Sequence, residues 1–363
     1  MSSIDERAAW LALLFGGRLK RQVAKAALYR WCVEGNKPAG ELLALPAEEA
    51  RAAFELDEQQ AGAPLAAALL AAVQDAPTWA ARLRGLSARS VELVLRADPA
   101  YPDALVQRLP EAQLPYCLFA RGDLALLSEP VLSIQGSVQP SIEAQQAARD
   151  LANALRQAGQ TLVGGYEQGI DRLALDATRG VGGSTIVLPP SGLDAFQPTL
   201  ATFEAALSAG QLLVLSPYAP EQAYTAALGL ARSALITALS EAVFLFEPSV
   251  GPDAWPGYGE ARSRGLQTFI WACSSAPADA WIAGGALAFA DAKQACQHVG
   301  LALGLEPPPS APELGVAEEH TLYESPHYAN AEEAIEALRR AGAVPPALAR
   351  RLRQAGWPAG DDK

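Results

Sequence analysis

The residues whose types and spacing could carry chemistry lie in one stretch, from Thr161 to Pro190. Its pattern indicates a buried strand, a double-glycine turn at Gly164-Gly165, a helix entered through Gly169-Ile170-Asp171, a second glycine turn and another buried strand. A strand-to-helix turn of this kind leaves helix N–H groups unpaired beside a crevice, where they can bind an anion. The stretch therefore predicts a ligand-binding site, and no nucleophile–base pair stands out beside it.

Six apolar runs alternate with helical patterns after Pro130, and this alternation indicates the fold class. Strand runs without polar alternation, separated by helices, are typical of a parallel sheet covered on both faces. We therefore expect a doubly wound, mainly parallel Rossmann-like α/β sheet. The predicted strands are 131–136, 161–165, 184–189, 212–216, 242–247 and 267–272, with helices near 142–158, 170–179, 199–209, 222–239 and 258–264.

Composition divides the chain into four parts. Residues 1–97 are rich in alanine and leucine and predict an N-terminal helical domain, and residues 98–304 hold the predicted α/β domain. Residues 305–331 contain a run of prolines and several acids without Lys or Arg, which is typical of a linker. Residues 332–363 carry paired basic residues and predict a small C-terminal helical module.

Charge limits how the chain could meet a nucleic acid. The formal net charge is −12, and residues 131–300 hold 8 Lys and Arg against 14 Asp and Glu. Because nucleic-acid binders normally carry a basic footprint, any phosphate contact must come from a few local groups. One face of a predicted helix carries Arg18, Arg21 and Lys25. This face is either solvated or forms a patch that contacts phosphates or a partner.

Several function classes are not supported. The four cysteines are far apart without CxxC spacing, and the three histidines form no metal pattern, so we expect no metal site, no cofactor and no hydrolytic mechanism. No run approaches the roughly 20 apolar residues of a membrane span. The first residues, MSSIDERAAW, contain no apolar signal core, so we expect a cytoplasmic protein.

Taken in order, the motifs resemble those of the DNA-processing protein A (DprA/Smf) family. The matching segments are Tyr101-Pro102, Ser133-Ile134-Gln135-Gly136-Ser137, Gly164-Gly165 with Gly169-Ile170-Asp171, Gly182-Gly183, and the helix around Arg232, which is similar to the segment with the family's arginine-asparagine-arginine motif. The resemblance implies a Rossmann-like domain. It also implies a non-enzymatic protein that binds single-stranded DNA and helps to deliver it to a recombinase.

The departures from the family pattern concern charge. Val138 stands where the family has an arginine, Leu175 where it has a histidine, and Pro217 where it has a glutamate. Of the arginine motif only Arg232 remains, followed by Ser233 and Ala234. Each lost arginine removes a bidentate clamp for phosphate. The sequence thus predicts a pocket that has either been re-tuned or has lost its ancestral ligand, and any binding of single-stranded DNA is expected to be weak and strongly salt-sensitive.

The candidate ligand- or DNA-binding residues follow the strand ends and the resemblance. They are Gly136, Ser137, Gly164, Gly165, Gly169, Asp171, Gly183, Arg232 and Glu247. All but Gly169 and Glu247 are expected to converge at the carboxyl ends of the strands. Asp171 is either a helix-capping acid or a ligand acceptor, and Glu247 either orients the pocket or caps the next loop. Trp255 and Tyr258 either stack on a base or pin their loop to the core.

Three functions remain open. The first is a non-catalytic DNA-processing protein that binds single-stranded DNA and supports recombination or DNA uptake. The alternative is a nucleotide-binding or sensor protein that uses the same crevice, and the third is an interaction-only subunit with a vestigial pocket. We also expect the chain to form a homo-oligomer.

Overall fold

The computed structural model describes residues 5–16, 19–46, 63–180, 182–248, 265–272 and 278–303, with the single residues 49, 251 and 262. The chain divides into two compact units, Met1–Pro308 and Pro309–Lys363. The second unit and the predicted segments 305–331 and 332–363 lie outside the described residues. So do Arg18, Trp255, Tyr258 and all of the predicted helix 258–264 except residue 262.

Helices rich in alanine and leucine form the N-terminal part of the first unit. They are α1 (Glu6–Phe15), α2 (Arg21–Leu28), a π-helical turn (Tyr29–Glu34), α3 (Ala39–Ala44) and α4 (Ala63–Ser87). The α1 helix begins where the Asp5 carboxylate accepts a hydrogen bond from Ala8 N (3.1 Å), the usual role of an aspartate at an N-cap. Every residue from Ala8 to Leu14 is buried, so α1 is a core helix that packs against α4.

The predicted helical region 1–97 ends in a strand. The strands β1 (Val91–Leu95) and β2 (Cys117–Gly122) pair antiparallel, and β2 pairs antiparallel with β6 (Leu212–Ser216). An entirely helical region up to residue 97 is therefore wrong for its last segment. The run VELVL is short and rich in branched apolar residues, and it becomes a strand because β2 offers a free edge.

One sheet of nine strands organises the unit, in the order β1-β2-β6-β5-β4-β3-β7-β8-β9. The pairings from β6 to β9 are all parallel, so the doubly wound, mainly parallel α/β fold is confirmed. The strands not yet given are β3 (Val131–Gly136), β4 (Thr161–Gly164), β5 (Thr185–Val187), β7 (Ser240–Phe246), β8 (Gln267–Trp271) and β9 (Leu287–Phe289). All six predicted strands are present.

Helices connect the parallel strands. They are α5 (Asp103–Arg108), α6 (Ile142–Gln157), α7 (Ile170–Arg179), α8 (Leu193–Leu200), α9 (Glu204–Ser208), α10 (Ala226–Leu239), α11 (Asp279–Ala283) and α12 (Ala292–Leu303). The predicted helix near 199–209 is instead divided between α8, a short 3₁₀ turn and α9. Within the part of the chain described here, no helix is long and apolar enough to cross a membrane.

At Gly136 the backbones of β3 and β7 lie close together. A Cβ atom at this position would overlap the carbonyl oxygen of Phe246, because β3 and β7 pair there. We expect Gly136→Ala to destabilise the protein by about 1–3 kcal/mol, the usual cost of overpacking against a part that cannot move aside. The measurement is the midpoint of urea unfolding.

Gly85 in α4 is the matched control, since a Cβ there would meet nothing within 4 Å. Gly85→Ala should raise the midpoint, because alanine is favoured over glycine in a helix by about 0.5–1 kcal/mol. If Gly136→Ala were as stable as the wild type, the close approach of the two strands would be wrong.

Candidate nucleic-acid interface

Three parallel strands end together at one edge of the sheet, where β3 pairs with β4 on one side and β7 on the other. Ser137 N donates to the carbonyl of Phe246 (3.0 Å), and Ile170 N donates to the carbonyl of Ser137 (3.1 Å). Gly136, Ser137 and the start of α7 therefore lie at the carboxyl edge. Because the strand order reverses here, this is the place where open α/β sheets bind ligands.

A tight loop, residues 164–169, joins β4 to α7. The Asp171 carboxylate accepts hydrogen bonds from Gly165 N (3.1 Å) and Glu167 N (2.8 Å). Tyr166 has a φ of 58° and Gly169 a φ of 99°, and a Cβ at Gly169 would overlap Ser137. Asp171 thus fixes the loop, because its carboxylate oxygens already accept hydrogen bonds from backbone N–H groups of the same turn.

Asp171 is also electrostatically unusual. Removal from water raises the pKa of this carboxyl to about 6 from 3.8, while the nearby charge of Arg232 and the two backbone donors act in the opposite direction. Desolvation is the largest of these effects. The carboxyl therefore changes charge in the mildly acidic range, next to a buried guanidinium.

Arg232 lies on α10 and is only 2 % exposed. Its guanidinium occupies the space where a side chain at position 165 would be, so a larger residue there would require Arg232 to move. The Glu167 carboxylate lies 2.6 Å from Nη2, and yet neither Nη2 nor Nε has a hydrogen-bond partner of good geometry among the described residues. Buried polar groups are normally paired, so Nε, beside an Nη2 that already meets a carboxylate, marks a place where the guanidinium can hold an anion.

Glu247 acts as a cap in this structure. Its carboxylate accepts from Ser141 N (2.8 Å) and from the Ser141 hydroxyl (2.6 Å), while the same hydroxyl accepts from Ala144 N (3.1 Å). Glu247 has a φ of 45°, which turns its side chain back over the start of α6. A protein carboxylate thus occupies the N-terminus of the helix after β3, the position where Rossmann folds hold a pyrophosphate.

Gly183 does not join this group, and its expected convergence with the other residues is wrong. It precedes β5, so it lies at the amino edge of the sheet, and a Cβ there would meet Arg156 and Thr178. A glycine pair in a helix-to-strand turn must fall at the edge opposite to a strand-to-helix turn. Gly183 is required by close packing under α6 and α7.

Arg21 and Lys25 face a separate cavity. Lys25 Nζ donates to the carbonyls of Ala112 (3.1 Å) and Leu114 and lies 5.3 Å from the centre of the Tyr116 ring. The Arg21 guanidinium lies 5.7 Å from the Phe15 ring. Lys25 is partly buried, whereas Arg21 is exposed, so only Lys25 departs from a solvated helix face.

Two residues of the crevice were not singled out by the sequence. Glu167 pairs with Arg232, and Tyr224, which is 59 % exposed, stands beside it across Gly229. Their signal in sequence was slight: one acid between glycines, and one tyrosine before a helix. Of the residues described, no group of three or more His, Cys, Asp or Glu could hold a metal ion.

The raised pKa of Asp171 gives a pH dependence of stability. Because the folded-state pKa of about 6 lies above 3.8, the folded protein holds this proton more tightly than the unfolded chain. The stabilisation is full below about pH 4 and is lost as the pH rises through 6. Asp171→Asn cannot lose a proton, so the wild type should lose stability relative to this variant between pH 4 and 7. Urea midpoints measured at each pH would contradict this if the difference stayed constant.

Comparisons with known proteins agree with this architecture. The family model for DNA recombination-mediator protein A matches residues 92–251, which include the 164–169 loop, Arg232 and Glu247. The crystal structure of DNA processing protein A from Streptococcus pneumoniae is similar over 79% of this chain and 96% of that one, with 21% identity and a TM-score of 0.62. That likeness shows the fold. No curated protein matches the sequence.

A second similar structure is DNA processing protein A from Helicobacter pylori, a protein with a unique single-stranded DNA binding mode. It is 23% identical, covers 59% of this chain and 96% of its own, and gives a TM-score of 0.48. The motifs at the carboxyl edge and the nine-stranded sheet lie largely within the matched region. Residues 92–251 of this chain are thus similar to the DNA recombination-mediator protein A family.

Proposed function

We propose that this chain is a DprA-like, non-catalytic DNA-processing protein that binds single-stranded DNA and supports recombination or DNA uptake. The observation that carries the proposal is Arg232, a buried guanidinium at the carboxyl edge of the sheet, whose Nε has no hydrogen-bond partner among the described residues and whose Nη2 meets the partly exposed Glu167 carboxylate. A guanidinium in a site of low dielectric is the side chain best suited to a phosphodiester. The match of residues 92–251 to the family model for DNA recombination-mediator protein A supports the same function.

The surroundings of Arg232 suit single-stranded DNA better than double-stranded DNA. Tyr224 is exposed beside the Arg232–Glu167 pair, and a base released from stacking can stack on such a ring. The net charge of −12 opposes a long electrostatic track, so the contact must be short. A recombinase partner, a cytoplasmic location and a homo-oligomer belong to the same proposal.

The alternative of a nucleotide sensor is less well supported. In a nucleotide-binding Rossmann fold the phosphates approach the helix that follows the first parallel strand. Here the Glu247 carboxylate is hydrogen-bonded to Ser141 at that helix. A phosphate would have to displace a hydrogen-bonded carboxylate at α6, whereas the carboxylate beside Arg232 is partly exposed and easier to displace.

Oligonucleotide binding should be weak and depend on salt with a shallow slope. Each neutralised phosphate contributes roughly 0.7 to the slope for single strands, so two to four contacts give about 1.5–3. Arg232→Ala should lower the affinity for labelled oligo-dT and reduce that slope by a fraction of a unit. Arg232→Lys should retain part of the affinity, since it keeps the charge and loses the planar fork. Fluorescence anisotropy over a range of salt concentrations measures both quantities.

Arg149, an exposed arginine of α6, provides the control for these variants. Arg149→Ala should leave the slope unchanged. If the wild-type protein bound no oligo-dT at low salt, with or without partner proteins, the DNA function would fail. A thermal shift with a panel of nucleotides would then separate the sensor from an interaction-only subunit.

Glu167 should act as a competitor of the phosphate. Its carboxylate lies 2.6 Å from Arg232 but is 42% exposed and can turn outward. A phosphate at Arg232 must displace this charge or bind beside it, and either arrangement is unfavourable. Glu167→Gln should therefore strengthen oligo-dT binding about three- to tenfold, as expected from removing one like charge at about 1 kcal/mol. Weaker binding by this variant, with unchanged thermal stability, would show that Glu167 instead positions Arg232 for DNA.

A further inference from the structure

The cavity between the N-terminal helices and α10 lies outside the site described above. It measures about 510 Å³, within the range of about 300–1,000 Å³ typical of small-molecule sites. Its walls come from α1, α2, the segment 112–117, Pro217-Tyr218 and α10. The Leu230, Ala234 and Leu235 side of α10 faces the cavity, whereas Arg232 on the same helix contacts Gly165.

The cavity combines an apolar body with positive charge at one side. Leu14, Phe15 and Leu235 provide apolar walls, and Leu230 is 61% exposed at the rim. A large exposed leucine next to a cavity gains from being covered. The floor of the cavity includes Leu114, Tyr116 and Cys117, all of which are buried.

The charges of the cavity are uncompensated within its walls. Arg21 and Lys25 line it, and none of the described residues that line it is Asp or Glu. Burial lowers the pKa of Lys25, and the neighbouring Arg21 lowers it further, with Glu111 outside the walls acting in the opposite direction. An anion between the two cations would relieve both desolvation and repulsion.

We propose that this cavity binds a small amphiphilic anion, with its single charged head beside Arg21 and Lys25 and its aliphatic body against Leu14, Phe15, Leu230 and Leu235. The head is a carboxylate or a phosphate monoester, since an ammonium with a nearby guanidinium can hold either. The apolar walls favour an aliphatic body over the polar sugar of a nucleotide. The ligand site is independent of the DNA site, because the two lie on different sides of α10.

Isothermal titration calorimetry on the full chain tests this, with decanoate and decyl phosphate as the probes, both below their micelle concentrations. Decanoate should bind, decanol should bind at least about fivefold more weakly, and octanoate about tenfold more weakly for its two missing methylenes. Decyl phosphate compared with decanoate identifies the preferred head. Thymidine monophosphate binding as well as decanoate, or displacement of decanoate by oligo-dT, would overturn the proposal.

Two variants locate the ligand. Arg21→Gln should weaken decanoate binding about three- to fivefold, and Ala231→Phe, at an exposed position of the cavity wall, should weaken it about tenfold by filling the apolar part. Arg149→Gln, with the same loss of charge on α6, should have no effect. Decanoate binding that is equal in all three variants would show adsorption elsewhere on the protein and would overturn the proposal. Thermal unfolding of each variant without ligand verifies that the fold is retained.

Discussion

The packing of the Arg232 guanidinium against the backbone of Gly165 is the contact on which the crevice depends. A side chain at position 165 would displace the guanidinium, so glycine at this position lets Arg232 lie against the end of β4. Asp171 holds the turn at 164–169 through the N–H groups of Gly165 and Glu167. The guanidinium is thereby buried at the end of β4, and burial is what makes its unpaired Nε valuable for binding an anion.

Two protein carboxylates compete for anion positions at this edge, and they differ in how firmly they are held. Glu247 is fixed by two hydrogen bonds from Ser141 and completes the cap of α6. Glu167 meets Arg232 at 2.6 Å without hydrogen-bond geometry and remains 42% exposed. In this structure a hydrogen-bonded carboxylate therefore occupies the anion position at α6, whereas the carboxylate beside Arg232 is partly exposed. This difference favours single-stranded DNA, which can bind through one strong contact at Arg232. It disfavours a dinucleotide, because a dinucleotide needs the N-terminus of α6 for its phosphates.

The N-terminal helices are joined to the α/β sheet by a hydrogen bond and form part of the cavity wall. Trp10 Nε1 donates to the carbonyl of Tyr116 (3.1 Å), which joins α1 to the segment leading into β2. Tyr218 lies between the two cationic places: burial raises its pKa to about 12, and the charges of Arg232 and Arg21 act against that increase. One helix, α10, thus separates a polar crevice from an apolar cavity. Its two faces carry different chemistry within 14 residues.

The sequence by itself determined the sheet, because apolar runs such as 131–136 and 212–216 are buried on both faces and have few other structures open to them. It also determined the turn at 164–169, since glycine spacing is a local property. It missed β1, whose strand structure depends on pairing with β2, a segment more than twenty residues later. Local patterns carry no information about such a partner.

Only the tertiary structure decided what the candidate residues do. The sequence left Asp171 open between capping and ligand binding, and Glu247 between orienting the pocket and capping the next loop. The fold brings the Asp171 carboxylate onto backbone N–H groups of its own turn and the Glu247 carboxylate onto Ser141 at the start of α6. It also separates Gly183 from the other glycines, because strand direction decides at which edge a turn lies. The ion pair of Arg232 with Glu167 joins residues 65 positions apart through the packing of α10 on the loop after β4. Such contacts depend on which residues are close in space, and residue types and their spacing along the chain do not determine this.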